Sequence, residues 1–230
     1  QPLKARVNAI TTDPYNADVV FVATDRGILR SSDNGYTWQG LDQNEGLDKH
    51  FYTIITTGSR VYAAGDGDQI YWRGVEDIYQ PWQKINCQGF CASPVFALAI
   101  DPHNSNKLLA GSDNGSLALS EDGGKNWKNL SGIKPSILKR LKLSTLVFDP
   151  TSPQLIYAGT GARRYSTDGE GLYRSEDGGT TWKQLNTWPY VQSIALDPVN
   201  SQIIYIAGSE GMSCSHDGGN NWTTLSAGPK

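Results

Sequence analysis

Cysteine, methionine and histidine are scarce in this sequence of 230 residues, which contains 3 Cys, 1 Met and 3 His. A zinc site needs about four Cys, His or carboxylate ligands at short spacings, and no such group of ligands occurs. His50, His103 and His216 are scattered, and no Ser, His and Asp arrangement of a catalytic triad is present. We therefore expect no metal and no cofactor.

Long apolar runs and an excess of basic residues are also missing. No apolar segment approaches the roughly 20 residues that a membrane-spanning helix needs. The net charge of −3 and the pI of about 5.6 leave no basic stripe for phosphate contacts. The sequence thus predicts neither a membrane span nor a nucleic-acid partner, and it leaves the oligomeric state open.

The three cysteines do not settle the redox compartment. Cys87 and Cys91 are close enough to pair across a loop as a disulfide, whereas Cys214 lies in a strand pattern and is interpreted as a buried thiol. The sequence opens at Gln1 with neither Met nor a signal peptide, so we expect a processed mature protein or a trimmed form.

What the sequence has in abundance is a repeated eight-residue frame. SEDGGTTW at 175–182 returns as SSDNGYTW at 31–38, SEDGGKNW at 120–127 and SHDGGNNW at 215–222. A worn copy, VEDIYQPW at 75–82, keeps the Asp and the Trp but loses the Ser and the Gly. Five copies of one frame predict five structural units.

Each frame has the chemistry of a β-hairpin corner. The Asp carboxylate can accept hydrogen bonds from the following backbone N–H groups, the fifth-position Gly permits a left-handed turn, and the Trp wedges under its own hairpin. A calcium loop is the alternative, but the frame lacks the further oxygen ligands and the closing Glu. The structural corner residues are Asp33, Trp38, Asp77, Trp82, Asp122, Trp127, Asp177, Trp182, Asp217 and Trp222.

Three further strand patterns precede every corner: an apolar strand ending in Asp-Pro or its equivalent, a strand with Ala and Gly, and a strand running into the corner. Four strands in a repeat of about 45 residues indicate a propeller blade. We predict an all-β fold, a single five-bladed β-propeller of four-stranded antiparallel blades over residues 1–230. The blades lie at approximately 5–42, 51–86, 95–131, 144–186 and 191–226.

Closure of this ring would depend on packing between blades one and five, because neither terminus completes the blade of the other. A partial propeller that pairs with another chain is the structural alternative.

The strand order of a blade separates two ends of the ring. The Asp-Pro turns and the corners share one end, here called the corner end. The turns from second to third strand and the connections between blades share the opposite end, here called the loop end. Two lengthened segments, 131–143 and 162–170, belong to the loop end. Loops that vary on a constant scaffold often carry binding, so we expect function at the loop end.

The S-x-D-G-G-x-T-W corner resembles the Asp-box, or BNR, repeat of sialidases, xyloglucanases, the sortilin ectodomain and photosystem II assembly factors. The resemblance covers almost the whole chain and implies a propeller that works outside the cytoplasm, either secreted, periplasmic or lumenal. It implies that the Asp-box itself is structural and lies away from any active site. The Arg-Ile-Pro signature of sialidases is absent, and no functional residue of these families can be transferred.

Two groups of loop-end residues are candidates for chemistry. Acids in the turns between second and third strands could form a carboxylate pair for glycoside hydrolysis, although Asp-Gly and Glu-Gly are also ordinary turn residues. These acids are Asp25, Asp66, Asp68, Asp113, Asp168, Glu170 and Glu210. The lengthened segments bring together basic and aromatic residues, including Lys142, that could bind an acidic partner or a carboxylated glycan. The predicted binding residues are Lys139, Arg140, Arg163, Arg164, Tyr165 and Trp188.

The sequence favours a non-catalytic, extracytoplasmic binding or assembly module that presents its loop end to a protein or glycan partner, rather than an enzyme. The alternative is a glycoside hydrolase or glycan-binding lectin that uses the acidic turns. An enzyme predicts a deep central pocket with two carboxylates and neighbouring aromatic residues.

Overall fold

The chain forms five four-stranded antiparallel sheets arranged as a five-bladed β-propeller, which confirms the predicted fold class. The computed structural model describes residues 5–41, 50–66, 69–77, 79–85, 87, 90, 93–130, 142–161, 171–209 and 211–225. These residues include no helix, and hence none able to cross a membrane.

Each blade contributes four consecutive strands. Blade one contains β1 (Val7–Thr12), β2 (Val20–Thr24), β3 (Gly27–Ser31) and β4 (Gln39–Gly40). Blade two contains β5 (Phe51–Thr56), β6 (Arg60–Gly65), β7 (Ile70–Gly74) and β8 (Gln83–Ile85). Blade three contains β9 (Val95–Asp101), β10 (Asn104–Ser112), β11 (Leu117–Ser120) and β12 (Lys128–Leu130). Blade four contains β13 (Lys142–Phe148), β14 (Ile156–Gly161), β15 (Leu172–Ser175) and β16 (Lys183–Gln184). Blade five contains β17 (Val191–Leu196), β18 (Ile204–Gly208), β19 (Gly211–Ser215) and β20 (Thr223–Leu225).

The hydrophobic core lies between the blades. The first strands are innermost, and consecutive ones contact each other from β1 to β17. Each blade has a trailing face, which packs on the following blade, and a leading face, which packs on the preceding one. Four clusters of buried residues fill the junctions between blades one and two, two and three, three and four, and four and five. Every internal junction is therefore an apolar contact between one trailing and one leading face.

The junction between blades five and one differs from these four. Within the described part of the chain no hydrophobic cluster joins these two blades, and no comparable contact links β17 or β18 to β1. Val7 and Ile10 of blade one are 50% and 64% exposed, and Met212 of blade five is 45% exposed. The packing that the sequence analysis expects between blades one and five is not observed.

Backbone hydrogen bonds define the two ends of the ring as the topology predicts. At the corner end, the Gly178 N–H donates to the Gln154 carbonyl at 3.0 Å, which ties a corner to the Asp-Pro turn of its blade. At the loop end, the Asp66 N–H donates to the His50 carbonyl at 3.0 Å. Lys142 at the start of β13 pairs with Gly161 at the end of β14, which places both residues at the loop end. Residues 131–141 and 162–170 lie outside the described residues.

Four corners share the hydrogen bonds of the corner Asp and Ser, and the corners of blades three, four and five add a bond from the Trp indole. In the fourth blade, Asp177 accepts bonds from the Thr181 N–H at 2.8 Å, the Thr181 hydroxyl at 2.6 Å and the Ser175 hydroxyl at 2.8 Å. The Gly179 N–H donates to the Ser175 oxygen at 2.7 Å, and the Trp182 indole N–H donates to the Gly179 carbonyl at 3.0 Å. Gly179 has φ +93°, the left-handed conformation that glycine tolerates.

The worn corner of blade two is held by an arginine instead. Val75 occupies the place of the corner Ser, and Arg73, 2% exposed, donates to the carbonyls of Asp77 at 2.8 Å and of Gln80. Arg73 also donates at 3.0 Å to the Leu41 carbonyl, which accepts a bond from the Trp82 indole at 3.3 Å. One buried guanidinium thus replaces the Ser and Gly network and links blade two to blade one.

The cysteines occupy the environments that their sequence context suggests. Cys214 is free and 5% exposed, which confirms a buried thiol. Cys87 is disulfide-bonded, and Cys91, its partner in the sequence analysis, lies outside the described residues.

We expect Arg73→Met to destabilise the propeller by about 3 kcal/mol, because the substitution removes the buried guanidinium that hydrogen-bonds the carbonyls of Leu41, Asp77 and Gln80. Urea unfolding followed by tryptophan fluorescence measures this loss. The exposed Arg26 supplies the control variant Arg26→Met, for which we expect little change. Equal stabilities of the two variants would contradict the assigned role of Arg73.

We also expect Gly179→Ala to cost more stability than Gly35→Ala. Both glycines have positive φ, +93° and +87°, so both variants carry the left-handed penalty of about 1–2 kcal/mol. A Cβ on Gly179 would lie 2.8 Å from Leu130 Cδ1 of the preceding blade, whereas a Cβ on Gly35 would meet only Trp38 at 3.4 Å. Paired thermal melts test the difference, and a greater loss for Gly35→Ala would contradict it.

Candidate functional site

The loop end of the ring axis carries one displaced residue from every innermost strand. Each innermost strand is interrupted near its start by a register shift that leaves one of its residues unpaired. A β-bulge of this kind adds one unpaired residue and redirects its side chain. The bulge residues are Asn8, Tyr52, Phe96, Ser144 and Gln192.

The bulge residues of the first four blades reach toward the following blade. Asn8 Nδ2 donates to the Phe51 carbonyl at 2.8 Å, and the Ser144 hydroxyl donates to the Val191 carbonyl. The rings of Tyr52 and Phe96 stack, with centroids 4.0 Å apart and planes inclined by 17°. The bulges therefore place polar and aromatic side chains around the axis, in contact across blade boundaries.

A lysine covers the aromatic pair. The Lys142 ammonium lies 3.7 Å from the Phe96 ring centroid and 6.0 Å from that of Tyr52. Burial lowers the pKa of Lys142; the Asp113 carboxylate opposes this shift, and the Arg6 charge adds to it. The cation is thus held over aromatic faces, an arrangement that strengthens as water is excluded.

Carboxylates from the turns after the second strands lie at the same end of the ring. In blades one, two and three the acid after the second strand donates its N–H to the residue before the first strand. Asp25 accepts the Arg6 N–H at 2.8 Å, and Asp66 accepts the Tyr52 hydroxyl and pairs with His50 Nδ1 at 2.8 Å. Asp66 and His50 remain 46% and 53% exposed, so a ligand can reach both.

The opposite end of the axis is chemically different. An apolar cavity of about 370 Å³ opens there, lined by ends of the innermost strands and by Asp-Pro prolines. Its lining includes Ile55, Leu98, Phe148, Pro150 and Leu196 but no carboxylate. This cavity is not the acidic pocket that an enzyme of the predicted kind requires.

Comparisons with known proteins agree with this architecture. No protein-family model matches the sequence. The chain is 29% identical over 219 residues to the oligoxyloglucan-reducing end-specific xyloglucanase of Emericella nidulans, an alignment covering 85% of this chain and 26% of that protein. The chain thus spans about a quarter of the length of this curated relative.

Two solved structures have a similar fold. The GH74 xyloglucanase from Xanthomonas campestris superposes with a TM-score of 0.73 at 19% identity, covering 96% of this chain and 37% of that chain. YCF48 from Cyanidioschyzon merolae superposes with a TM-score of 0.52 at 16% identity, covering 97% and 85%. These likenesses agree with the β-propeller fold of the chain.

The carboxylates of the intact corners accept hydrogen bonds from residues of their own corner. Hydrogen bonds from Thr37 and Ser31 lower the pKa of Asp33 to about 2, and bonds from Thr181 and Ser175 do the same for Asp177. Bonds from Asn221 and Ser215 lower the pKa of Asp217 to about 2. A carboxylate that stays ionised in this way cannot act as a general acid near neutral pH.

The predicted binding residues of the propeller fall into two groups. Lys139, Arg140, Arg163, Arg164 and Tyr165 lie outside the described residues, as do Asp68, Asp168, Glu170 and Glu210. Trp188 is half-buried and packs against the core between blades four and five.

Tyr52 and Phe96 are not among the predicted binding residues, and the predicted position of Lys142 is in the lengthened segment 131–143. Lys142 is instead the first residue of β13. The signal for Tyr52 and Phe96 is their place near the start of innermost strands, where β-bulges turn side chains toward the axis. Lys142 lies on β13 two residues before the bulge residue Ser144 and pairs with Gly161.

We expect Asp177→Asn to lower the melting temperature at about pH 6 and to have much less effect near pH 2. The pKa of Asp177 falls from 3.8 to about 2 on folding, so its carboxylate stabilises the fold above pH 3.8 and loses this effect as the pH falls toward 2. Melting curves across this range test the prediction. Glu121→Gln, which changes an exposed carboxylate of another corner, is the control. A pH-independent difference for Asp177→Asn would contradict the prediction.

Proposed function

We propose that this propeller binds glycans of the xyloglucan class at its loop end. The observation that carries the proposal is the similarity to a xyloglucanase along 85% of the chain. The relative is a longer protein, so its hydrolytic activity is not assumed for this chain.

The geometry of the loop end supports a glycan ligand. Tyr52 and Phe96 are half-buried and offer aromatic surface on which the C–H face of a sugar ring can pack. Asp66, His50 and Lys142 supply acceptors and donors for sugar hydroxyls around that surface. The apolar cavity at the corner end lacks such polar groups and fits a glycan poorly.

These findings favour the alternative of the sequence analysis over its main prediction of a non-catalytic module for a protein partner. The fold similarity to YCF48 concerns architecture alone. A glycan ligand agrees with action outside the cytoplasm, because plant polysaccharides are extracellular. We therefore retain the extracytoplasmic location as part of the proposal.

Hydrolysis is the second candidate function, since the relatives are named as xyloglucanases. It requires two carboxylates roughly 5–10 Å apart, one of them with a raised pKa. Asp25, Asp66 and Asp113 are the described acids in equivalent turns, and we choose Asp66 and Asp113 because their blades contribute the stacked Tyr52 and Phe96. Release of reducing ends from xyloglucan, abolished in Asp66→Asn or Asp113→Asn, would establish it.

Binding is tested by isothermal titration of the chain with xyloglucan oligosaccharides. We expect Phe96→Leu and Lys142→Met each to weaken the affinity by about tenfold, a loss of about 1.4 kcal/mol. Both changes keep apolar volume in place, and unchanged melting temperatures would show that the fold is retained.

Tyr36→Ala is the matched control, because Tyr36 is an aromatic residue at the corner end and is 87% exposed. Its affinity should equal that of the unaltered chain. Absence of binding by the unaltered chain, or equal weakening by Tyr36→Ala, would refute the proposal.

A further inference from the structure

Within the described residues, two apolar faces have no neighbouring blade packed against them. They are the trailing face of blade five, which includes Tyr205, Met212 and Leu225, and the leading face of blade one, which includes Val7 and Ile10. At the four internal junctions, faces of the same two kinds cover each other. The register of the strands allows a position-by-position comparison.

The leading face of blade one is exposed where every other leading face is buried. Ile10 is 64% exposed, and its equivalents are at most 8% exposed: Ile54, Leu98, Leu146 and Ile194. Val7 is 50% exposed, and its equivalents are 0% exposed: Phe51, Val95, Leu143 and Val191. Blade one therefore carries the apolar residues of a blade junction, but they are exposed.

The trailing face of blade five shows the same contrast. Met212 is 45% exposed, and its equivalents are at most 2% exposed: Ile28, Ile70, Leu117 and Leu172. In each internal junction the equivalents of Met212 and Ile10 belong to one cluster, as Leu172 and Ile194 do. Met212 and Ile10 are thus equivalent to two residues that lie in the same cluster at each of the four internal junctions.

The corners repeat this complementarity. A Cβ on the fifth-position glycine of blades three, four and five would lie 2.7–2.9 Å from a side chain of the preceding blade. Those side chains are Ile85, Leu130 and Leu185. In blade one the equivalent Gly35 would meet only Trp38 of its own corner, and Leu225 at the outer edge of blade five is 36% exposed.

The bulge residue of blade five also lacks a neighbour. The equivalents of Gln192 in blades one and four, Asn8 and Ser144, donate to a carbonyl of the following blade. Gln192 is exposed and makes no such bond within the described part of the chain. A polar anchor is therefore present beside the apolar face.

We propose that a second copy of this chain covers these faces, with the trailing face of blade five on one copy packed against the leading face of blade one on the next. At four junctions the surface that fits a trailing face is a leading face of the same repeat, and a second copy carries a free one. The contact joins two different surfaces, so it is head-to-tail, and each copy retains one free face of each kind.

Sedimentation velocity of the whole chain over a wide concentration range tests the proposal. We expect the unaltered chain to form dimers and larger species as the concentration rises. Ile10→Lys removes only the leading face, and Met212→Lys removes only the trailing face, because a charge there would be buried without a partner. Each variant alone should remain monomeric.

A mixture of the two variants is the decisive sample. Ile10→Lys keeps an intact trailing face and Met212→Lys keeps an intact leading face, so the equimolar mixture should form one-to-one dimers and nothing larger. Both sites are exposed, and melting temperatures equal to that of the unaltered chain would show retained folding. Val7→Lys and Leu225→Lys form a second pair that should behave in the same way.

Three results would overturn the proposal. The unaltered chain could stay monomeric at every concentration, as it would if blades one and five closed on each other in solution. Association could persist in both single variants, or the mixture could contain monomers alone.

Discussion

The contact between the trailing face of one blade and the leading face of the next is the constraint on which this structure depends. A four-stranded antiparallel sheet with two apolar faces cannot bury both by itself, and its stability comes from its neighbours. Phe21, Tyr62 and Tyr157 show the result, since these large side chains at equivalent trailing positions are 0–1% exposed. The Asp-box corners and the bulges serve this packing, because both connect a blade to the adjacent blade.

Much of the fold could be predicted from the sequence because its units repeat. The Asp, Gly and Trp of each corner recur at fixed spacing, and strand patterns of alternating apolar residues precede them. The worn corner shows where this reasoning ends. Nothing in VEDIYQPW indicates that Arg73, which lies before the frame, supplies the hydrogen bonds of the missing Ser and Gly.

The candidate site was harder to predict for a geometric reason. Tyr52 and Phe96 sit on bulges, where the alternation of inward and outward side chains is interrupted. The open junction between blades five and one could not be predicted for a different reason. Ile10 and Met212 are apolar residues at apolar positions, and residue type does not show whether another blade packs against them. Their exposure in the folded chain distinguishes them from the equivalent residues of the other blades, which are buried.

The carboxylates at the two ends of the ring differ in their hydrogen bonding and exposure. At the corner end, hydrogen bonds hold Asp33, Asp177 and Asp217 ionised and occupied. At the loop end, Asp66 keeps an exposed surface beside aromatic rings and a lysine. The acids that stabilise the corners are thus separate from the acid of the proposed glycan site, so changes at one end need not disturb the other.

The repeated β-bulge has a consequence for the chemistry that the proposed glycan site can present. The bulged position is the one place on each innermost strand that neither pairs in the sheet ladder nor fills the core between blades. Amide, phenol, phenyl and hydroxyl side chains already occupy it within one molecule. Five such positions encircle the axis. Substitutions there can change the chemistry of the loop end without changing the sheets or the core between blades.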